Sequence, residues 1–199
     1  MNGDDLYLRV NDFARSTEWL HGPITAYAKY GVVLFAGLLL VGWWIARPGP
    51  AHTMAAALLA PVSAMIALGL NQPIIKQIGE ARPYAVHPQA LVLVTKTTDP
   101  SFPSDHAAMA GAVTAALLLV SWELGVVAAF CALVMAFARV YVGAHYPQDV
   151  IAGLVFGAVV ALIVWAVLRI PVTRLVRWLR TTPLRPLVGR TRAVEGAVA

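Results

Sequence analysis

Hydrophobic residues in this chain are gathered into long blocks, separated by short polar connections. Five blocks are almost free of charge: Tyr30–Ala46, Met54–Ile75, Ala107–Trp122, Leu124–Ala138 and Val150–Leu168. Each is about as long as a helix that crosses roughly 30 Å of hydrocarbon, the two shortest only if their helices continue past the flanking charges. The pattern predicts an all-α fold, a polytopic membrane bundle of about five transmembrane helices, with residues 1–180 forming a single membrane-embedded domain.

Both ends of the chain have amphipathic rather than continuous apolar patterns. From Asp4 to Leu20, apolar residues recur at alternating spacings of four and three, and the stripe is formed by Leu6, Val10, Phe13, Thr17 and Leu20. This predicts an N-terminal amphipathic helix at the membrane interface or against the bundle. Residues 171–180 form a basic amphipathic segment suited to an anionic leaflet. Residues 181–199 are expected to form a disordered cytoplasmic tail.

Composition supports a membrane protein, and the charge distribution predicts its orientation. Of 199 residues, 59% are hydrophobic and 13% charged, which differs from an ordinary soluble domain. With five spans, one face carries eight arginines and two glutamates, a net charge of +6, and the other carries seven basic and eight acidic residues, a net charge of −1. The positive-inside rule places the +6 face, with the C-terminus, in the cytoplasm. We expect a bacterial cytoplasmic-membrane protein without a nucleic-acid partner.

In this orientation the three polar clusters of the chain lie together outside the inner leaflet, and their residues suit a bound phosphoryl group. Residues 101–106, Ser-Phe-Pro-Ser-Asp-His, directly precede the third apolar block. Ser104 is the expected N-cap, and the free N–H groups of that first turn form an anion site. His106 lies in the same turn, where it can exchange a proton with the anion. Three cations are expected at this face, where they would stabilise a phosphoryl group: Lys76, Arg82 and Arg139.

His145 and Asp149 are four residues apart across a predicted helix start, so their side chains can face each other. A carboxylate that accepts one ring N–H fixes the tautomer and leaves the other nitrogen free as nucleophile or base. His106 would then protonate the leaving oxygen, and phosphoryl transfer through a phosphohistidine is the predicted chemistry. A structural helix-start pair is the alternative for His145 and Asp149. No metal site is expected, since the carboxylates on this face show no ligand spacing.

These motifs resemble the type 2 phosphatidic acid phosphatase (PAP2) superfamily. Its pattern is Lys-x6-Arg-Pro, then Pro-Ser-Gly-His, then Ser-Arg-x5-His-x3-Asp. The chain matches it at Lys76, Arg82-Pro83, Pro103-Ser104-Asp105-His106, and Arg139, His145 and Asp149. Three features differ from the pattern: one residue fewer separates Lys76 from Arg82, Asp105 replaces Gly, and Ala138 replaces Ser.

The resemblance implies a metal-independent membrane lipid phosphatase without a cofactor. In it, His145 is the nucleophile, Asp149 orients it, and His106 is the general acid. The residues implied at the substrate phosphate are Lys76, Arg82, Ser104, Asp105 and Arg139. Of these, Asp105 is interpreted as charge balance for the neighbouring cations, and tuning of His106 is the alternative role.

The Pro-Ser-Asp-His variant, together with Arg82-Pro83-Tyr84, is most similar to the bacitracin-resistance type of undecaprenyl-diphosphatase in this superfamily. The similarity implies hydrolysis of undecaprenyl diphosphate to undecaprenyl phosphate and phosphate. A phosphatidic acid or phosphatidylglycerophosphate phosphatase is the alternative, because these enzymes share all three motifs. A lipid transporter is a more distant alternative, and it would require charged residues inside the spans.

Overall fold

A computed structural model describes residues 3–189 as helices joined by turns and one long irregular segment between residues 87 and 104. The helices are α1 Gly3–Ser16, α2 His21–Ala46, α3 Ala51–Ile78, α4 Pro83–Val86, α5 Asp105–Leu118, α6 Trp122–Tyr141, α7 Pro147–Leu179 and α8 Arg185–Val188. A single 3₁₀ turn, Glu18–Leu20, joins α1 to α2. The described residues contain no strand, so the predicted all-α fold class is confirmed.

Four helices, α2, α3, α6 and α7, are long and apolar enough to cross a membrane. The third predicted span is shorter than expected, because α5 has 14 residues and is about 21 Å long. Most of its residues are buried, and α3, α6 and α7 surround it. A helix enclosed by protein is as apolar as one facing lipid, so composition alone does not distinguish them. The protein is an integral membrane bundle of four long helices around a short central one.

Helices α3, α5, α6 and α7 alternate in direction, and this brings distant connections to one end of the bundle. The Ser104 N–H donates to the Asp149 carbonyl at 3.1 Å, which joins the start of α5 to the start of α7. Asn71 Nδ2 of α3 donates to the Pro103 carbonyl at 3.1 Å, in the segment before α5. The ends of α3 and α6 and the starts of α5 and α7 therefore lie together, as the sequence pattern predicts.

Glycines allow α5 and α7 to contact each other backbone to backbone, as the GxxxG spacing of Gly153 and Gly157 indicates. A Cβ atom at Gly153 would lie 2.6 Å from the Ser104 carbonyl oxygen, and one at Gly157 would overlap the Ala108 carbonyl. These contacts hold the N-terminus of α5 beside the first turns of α7.

Helix α1 is present, but its buried face differs from the predicted stripe. Leu6 and Phe13 of that stripe are exposed, and the buried residues are Tyr7, Asn11 and Ala14. Asn11 Nδ2 donates to the Leu91 carbonyl at 2.8 Å, and its Oδ1 accepts from the Leu91 N–H at 3.0 Å. The buried face of α1 therefore includes the polar residue Asn11, because the backbone N–H and C=O groups of the irregular segment need a hydrogen-bond partner there.

At the other end of the bundle, the predicted span and the basic segment 171–180 form a single helix. Helix α7 has 33 residues, about 50 Å, and continues through Pro171. The predicted disordered tail is wrong for residues 181–189, which form turns and α8 against the bundle. Trp43 Nε1 donates to the Leu187 carbonyl at 2.9 Å, and an Arg180 N–H donates to the Gly49 carbonyl at 3.0 Å. The rest of that tail, residues 190–199, lies outside the described residues.

Candidate active site

The three sequence motifs surround one cavity of about 540 Å³, at the end of the bundle where α5 and α7 begin. Six of the eight predicted site residues line it: Lys76, Arg82, Asp105, His106, Arg139 and His145. The other two, Ser104 and Asp149, are fully buried and do not line the cavity. The tertiary structure therefore brings the predicted residues together at a single site.

The turn between α6 and α7 holds His145 and Asp149 in contact. Gly143, with φ of +80°, lets the chain reverse after α6, and a Cβ there would lie 2.6 Å from the Leu91 carbonyl oxygen. Pro147 begins α7, and Oδ2 of Asp149 accepts the N–H of the N-cap residue Tyr146 at 2.9 Å. In this geometry His145 Nδ1 lies 3.3 Å from Asp149 Oδ2.

The contacts of His145 indicate its tautomer. Nε2 lies 3.4 Å from Nη1 of Arg82, and a guanidinium has only donors, so Nε2 accepts. The ring proton is then on Nδ1, where it faces Asp149. Arg82 is held by two carbonyl oxygens, since Nε donates to Asp99 at 2.8 Å and Nη1 donates to Ala144 at 3.1 Å. The unprotonated Nε2 of His145 therefore lies at the cavity, where it accepts from a fixed cation.

The environment of His145 keeps its ring neutral. Burial lowers the pKa of His145 to about 4; the hydrogen bond with Asp149 opposes this shift, and the charges of Arg139 and Arg82 add to it. A neutral imidazole with Nδ1–H directed at a carboxylate is the form in which Nε2 acts as a nucleophile or base. The arrangement thus has the electronic state that phosphoryl transfer to histidine requires.

Two buried donors near the cavity have no hydrogen-bond partner within residues 3–189: Ser104 Oγ and Arg139 Nε. Arg139 is anchored through Nη1, which lies 3.4 Å from the Ala28 carbonyl oxygen. Buried donors are almost always paired in native proteins, and of these two residues only Arg139 lines the cavity, where its unpaired Nε can meet an anion. Lys76 adds a charge from the last turn of α3, which ends at Gly79 with φ of +65°. Despite the shorter spacing to Arg82, Lys76 lines the cavity.

The Asp105 carboxylate is already engaged by two amides of α3. Oδ1 accepts from Asn71 Nδ2 at 2.8 Å and from Gln72 Nε2 at 3.1 Å, and Oδ2 accepts from Gln72 at 3.0 Å. A carboxylate lacks donors for a phosphate and repels it by charge. Asp105 thus joins α3 to the first turn of α5, next to His106.

Two further residues of the site, Ser101 and Lys29, lie outside the three sequence motifs. Ser101 is fully buried, and its hydroxyl donates to Asp149 Oδ2. Lys29 of α2 lines the cavity, although a single lysine before an apolar block gives no sequence signal. Residues 3–189 contain no group of three or more His, Cys, Asp or Glu side chains that could hold a metal ion.

An apolar helical bundle with a buried histidine–carboxylate pair, a second histidine and several cations around one cavity defines a membrane-embedded lipid phosphatase. The chain belongs to the PAP2 superfamily, whose model matches residues 56–170 and so includes all three motifs. The predicted superfamily and enzyme class are confirmed.

Three known proteins illustrate the similarity. Undecaprenyl-diphosphatase BcrC of Bacillus subtilis (strain 168) is 27% identical over 156 residues, 78% of this chain and 79% of the relative. Lipid A 1-phosphatase of Rhizobium etli is 42% identical over 94 residues, 45% of this chain and 40% of the relative. The crystal structure of a transmembrane PAP2-type phosphatidylglycerolphosphate phosphatase from Bacillus subtilis shares the fold, with a TM-score of 0.59 and 18% identity over 81% of this chain and 85% of that one.

Proposed function

We propose that this protein hydrolyses undecaprenyl diphosphate to undecaprenyl phosphate and phosphate, with His145 as the nucleophile. One observation carries the proposal: Nδ1 of His145 faces the buried Asp149, while Nε2 faces the cavity beside Arg82. Lys76, Arg82, Arg139 and the N-terminus of α5 at Ser104 hold the terminal phosphate. Asp105 keeps that helix start in place.

In the first step, the Nε2 lone pair attacks the terminal phosphorus, and the bond from phosphorus to the bridging oxygen breaks. Burial and the charge of Arg139 lower the pKa of His106 to about 3 before substrate binds, so its ring takes up the proton together with the bound diphosphate, whose negative charge favours the protonated form. His106 then donates this proton to the bridging oxygen, which leaves as the lipid monophosphate. His145 then carries the phosphoryl group on Nε2 and a proton on Nδ1, and the positive charge of its ring faces the Asp149 carboxylate.

In the second step, water attacks the phosphorus and gives a proton to His106, which the first step left neutral. The P–N bond breaks, inorganic phosphate leaves, and His145 is neutral again with its proton still on Nδ1. Arginine and lysine charges stabilise the phosphoryl oxygens in both steps, so we propose that the reaction needs no metal.

A diphosphate substrate is favoured by the similarity to BcrC over most of both chains. The extra cation Lys29 at the cavity also favours it, because a diphosphate carries more negative charge than a phosphomonoester. A phosphatidic acid or phosphatidylglycerophosphate phosphatase is the second candidate, supported by the fold shared with a phosphatidylglycerolphosphate phosphatase.

The test is phosphate release by the purified protein in detergent with EDTA, comparing undecaprenyl diphosphate, phosphatidic acid and phosphatidylglycerophosphate. We expect the highest kcat/KM for the diphosphate, and higher values for both glycerophospholipids would select the second candidate. His145→Ala should abolish release from every substrate. His52→Ala, at the opposite end of the bundle, is the matched control and should keep wild-type activity. Turnover by the His145→Ala variant would exclude the nucleophile.

We further propose a bacterial cytoplasmic-membrane location with the active site on the extracytoplasmic side and residues 181–199 in the cytoplasm. Thr98 and Thr181 are exposed at opposite ends of the bundle. In a Cys131→Ala background, a cysteine replacing Thr98 should react with an impermeant thiol reagent in intact cells, and one replacing Thr181 should react only after lysis. The reverse pattern would overturn the orientation.

A further inference from the structure

Ser101 is buried between the segments that carry the catalytic motifs. It is 0% exposed, and its backbone N–H donates to the Glu80 carbonyl at 2.8 Å, two residues before Arg82. Its side chain contacts both members of the His145–Asp149 pair. Ser101 therefore connects the segment that carries Arg82 to the histidine that faces it.

The direction of these contacts follows from the chemistry of the groups. An ionised carboxylate only accepts hydrogen bonds, so the Ser101 hydroxyl donates to Oδ2 of Asp149. The same Oγ lies 3.4 Å from Nδ1 of His145, with its lone pairs available to accept. Nδ1–H of His145 thus faces two oxygen atoms, Oγ of Ser101 and Oδ2 of Asp149.

The orientation of the Asp149 carboxylate depends on a contact from outside its own turn. Oδ2 also accepts the N–H of Tyr146, but Tyr146 belongs to the same helix start as His145 and Asp149 and moves with them. Oδ1 has no hydrogen-bond partner in the part of the chain that the structure describes. The Ser101 hydroxyl is therefore the group that ties this carboxylate to the rest of the site.

We propose that Ser101 is a positioning residue, whose hydroxyl holds the Asp149 carboxylate against Nδ1 of His145 and thereby directs Nε2 at the phosphorus. The inference rests on the proposed phosphohistidine mechanism. No bond to Ser101 forms or breaks during the reaction, and its hydroxyl keeps its proton. Because the phosphate is bound by the cations and the α5 N-terminus, losing the hydroxyl affects the attack and not substrate binding.

The first variant is Ser101→Ala, which removes the hydroxyl from a fully buried position. A hydrogen bond to a charged group accounts for about a 10- to 100-fold change in rate, so kcat should fall by that factor while KM changes by less than about twofold. In rapid-quench experiments with substrate labelled with ³²P in the terminal phosphate, phosphoenzyme formation should slow by the same factor. A purely structural loss would instead lower the amount of active enzyme and leave the rate constant of phosphoenzyme formation unchanged.

Two further variants separate positioning from packing. Ser101→Cys replaces the hydroxyl with a somewhat larger thiol, which is a weaker donor, and its kcat should fall between those of Ser101→Ala and the wild type. Ser63→Ala is the matched control, since Ser63 is equally buried and its hydroxyl donates to the Leu59 carbonyl within α3 at 2.9 Å. It should retain wild-type kcat and KM. If Ser101→Ala does not fold, the Ser101→Cys variant decides by its kcat.

Parallel assay of His145→Ala distinguishes a failure of the positioning role of Ser101 from a failure of the proposed mechanism. If His145→Ala is inactive while Ser101→Ala and Ser101→Cys keep wild-type kcat, the positioning role is wrong and the proposed function stands. A rise in KM at constant kcat in Ser101→Ala would also overturn the positioning role. If His145→Ala still turns over, the mechanism itself fails, and the role of Ser101 fails with it.

Discussion

The contact between α5 and α7 allows a test that connects helix packing to catalysis. Gly157→Ala adds one methyl group where a Cβ would overlap the Ala108 carbonyl oxygen and approach the Ala112 nitrogen to 2.8 Å. Both of these atoms are backbone, so a rotamer change cannot relieve the clash. The two helices must separate, and α5 carries His106 while α7 carries Asp149.

The size of the effect follows from this geometry. Overpacking of a tight contact costs about 1–3 kcal/mol. In a chain of this length each kcal/mol lowers Tm by roughly 2–4 °C, so we expect a loss of about 2–12 °C. A displacement of about 1 Å between catalytic groups costs on the order of 100-fold in rate. Thermal unfolding in detergent and kcat for phosphate release measure the two effects.

Gly69→Ala is the matched control, because it adds the same methyl group to a long helix where nothing lies within 4 Å. It should leave kcat unchanged, and it should not lower Tm, since alanine is favoured over glycine inside a helix by about 0.5–1 kcal/mol. If Gly157→Ala behaves like Gly69→Ala in both measurements, the close approach of α5 and α7 is not what positions His106 and Asp149.

Three further predictions follow from the site and its supports. His145 is a nucleophile only when its ring is neutral, and its pKa is about 4. After correction for substrate ionisation, kcat/KM should therefore stay constant as the pH falls below 6.5 and should decrease only near pH 4. A decrease near pH 6.5 would contradict the buried environment of His145. Asn11→Ala should destabilise the protein by about 1–3 kcal/mol, because it leaves the Leu91 backbone groups unpaired, whereas Asp12→Ala at an exposed position should show no change in thermal unfolding. Lys29→Ala should raise KM more for undecaprenyl diphosphate than for phosphatidic acid, and equal effects on both would remove Lys29 from diphosphate recognition.

Much of the site was predictable because its signals are local in the sequence. The spacing of His145 and Asp149 determines that they share one side of a helix start, and Pro147 and Gly143 determine how the chain turns there. That these residues meet Arg82 and His106 follows from counting membrane crossings, because each apolar block reverses the side on which the next connection lies. Counting crossings still gives the correct side for each connection although α5 is short, because α5 runs in the same direction as a full membrane span would.

Contacts between distant parts of the chain were not predictable in this way. Ser101 and Asp149 are 48 residues apart, and Asn11 and Leu91 are 80 residues apart. Each of these pairs satisfies a buried polar group, and which partner is within reach depends on how the helices pack. Hydrophobic periodicity therefore identified α1 but not the face that it buries.

The sequence alone predicted a helical membrane protein with a histidine site suited to phosphate, because the length of an apolar block and the spacing of a motif are properties of consecutive residues. Tertiary structure decided that α5 is enclosed by protein, that α7 extends as one helix through the basic segment, and that Nε2 of His145 faces Arg82. Those features depend on the distance between backbones, which is set by glycines on facing helices and by the burial of polar groups from separate segments.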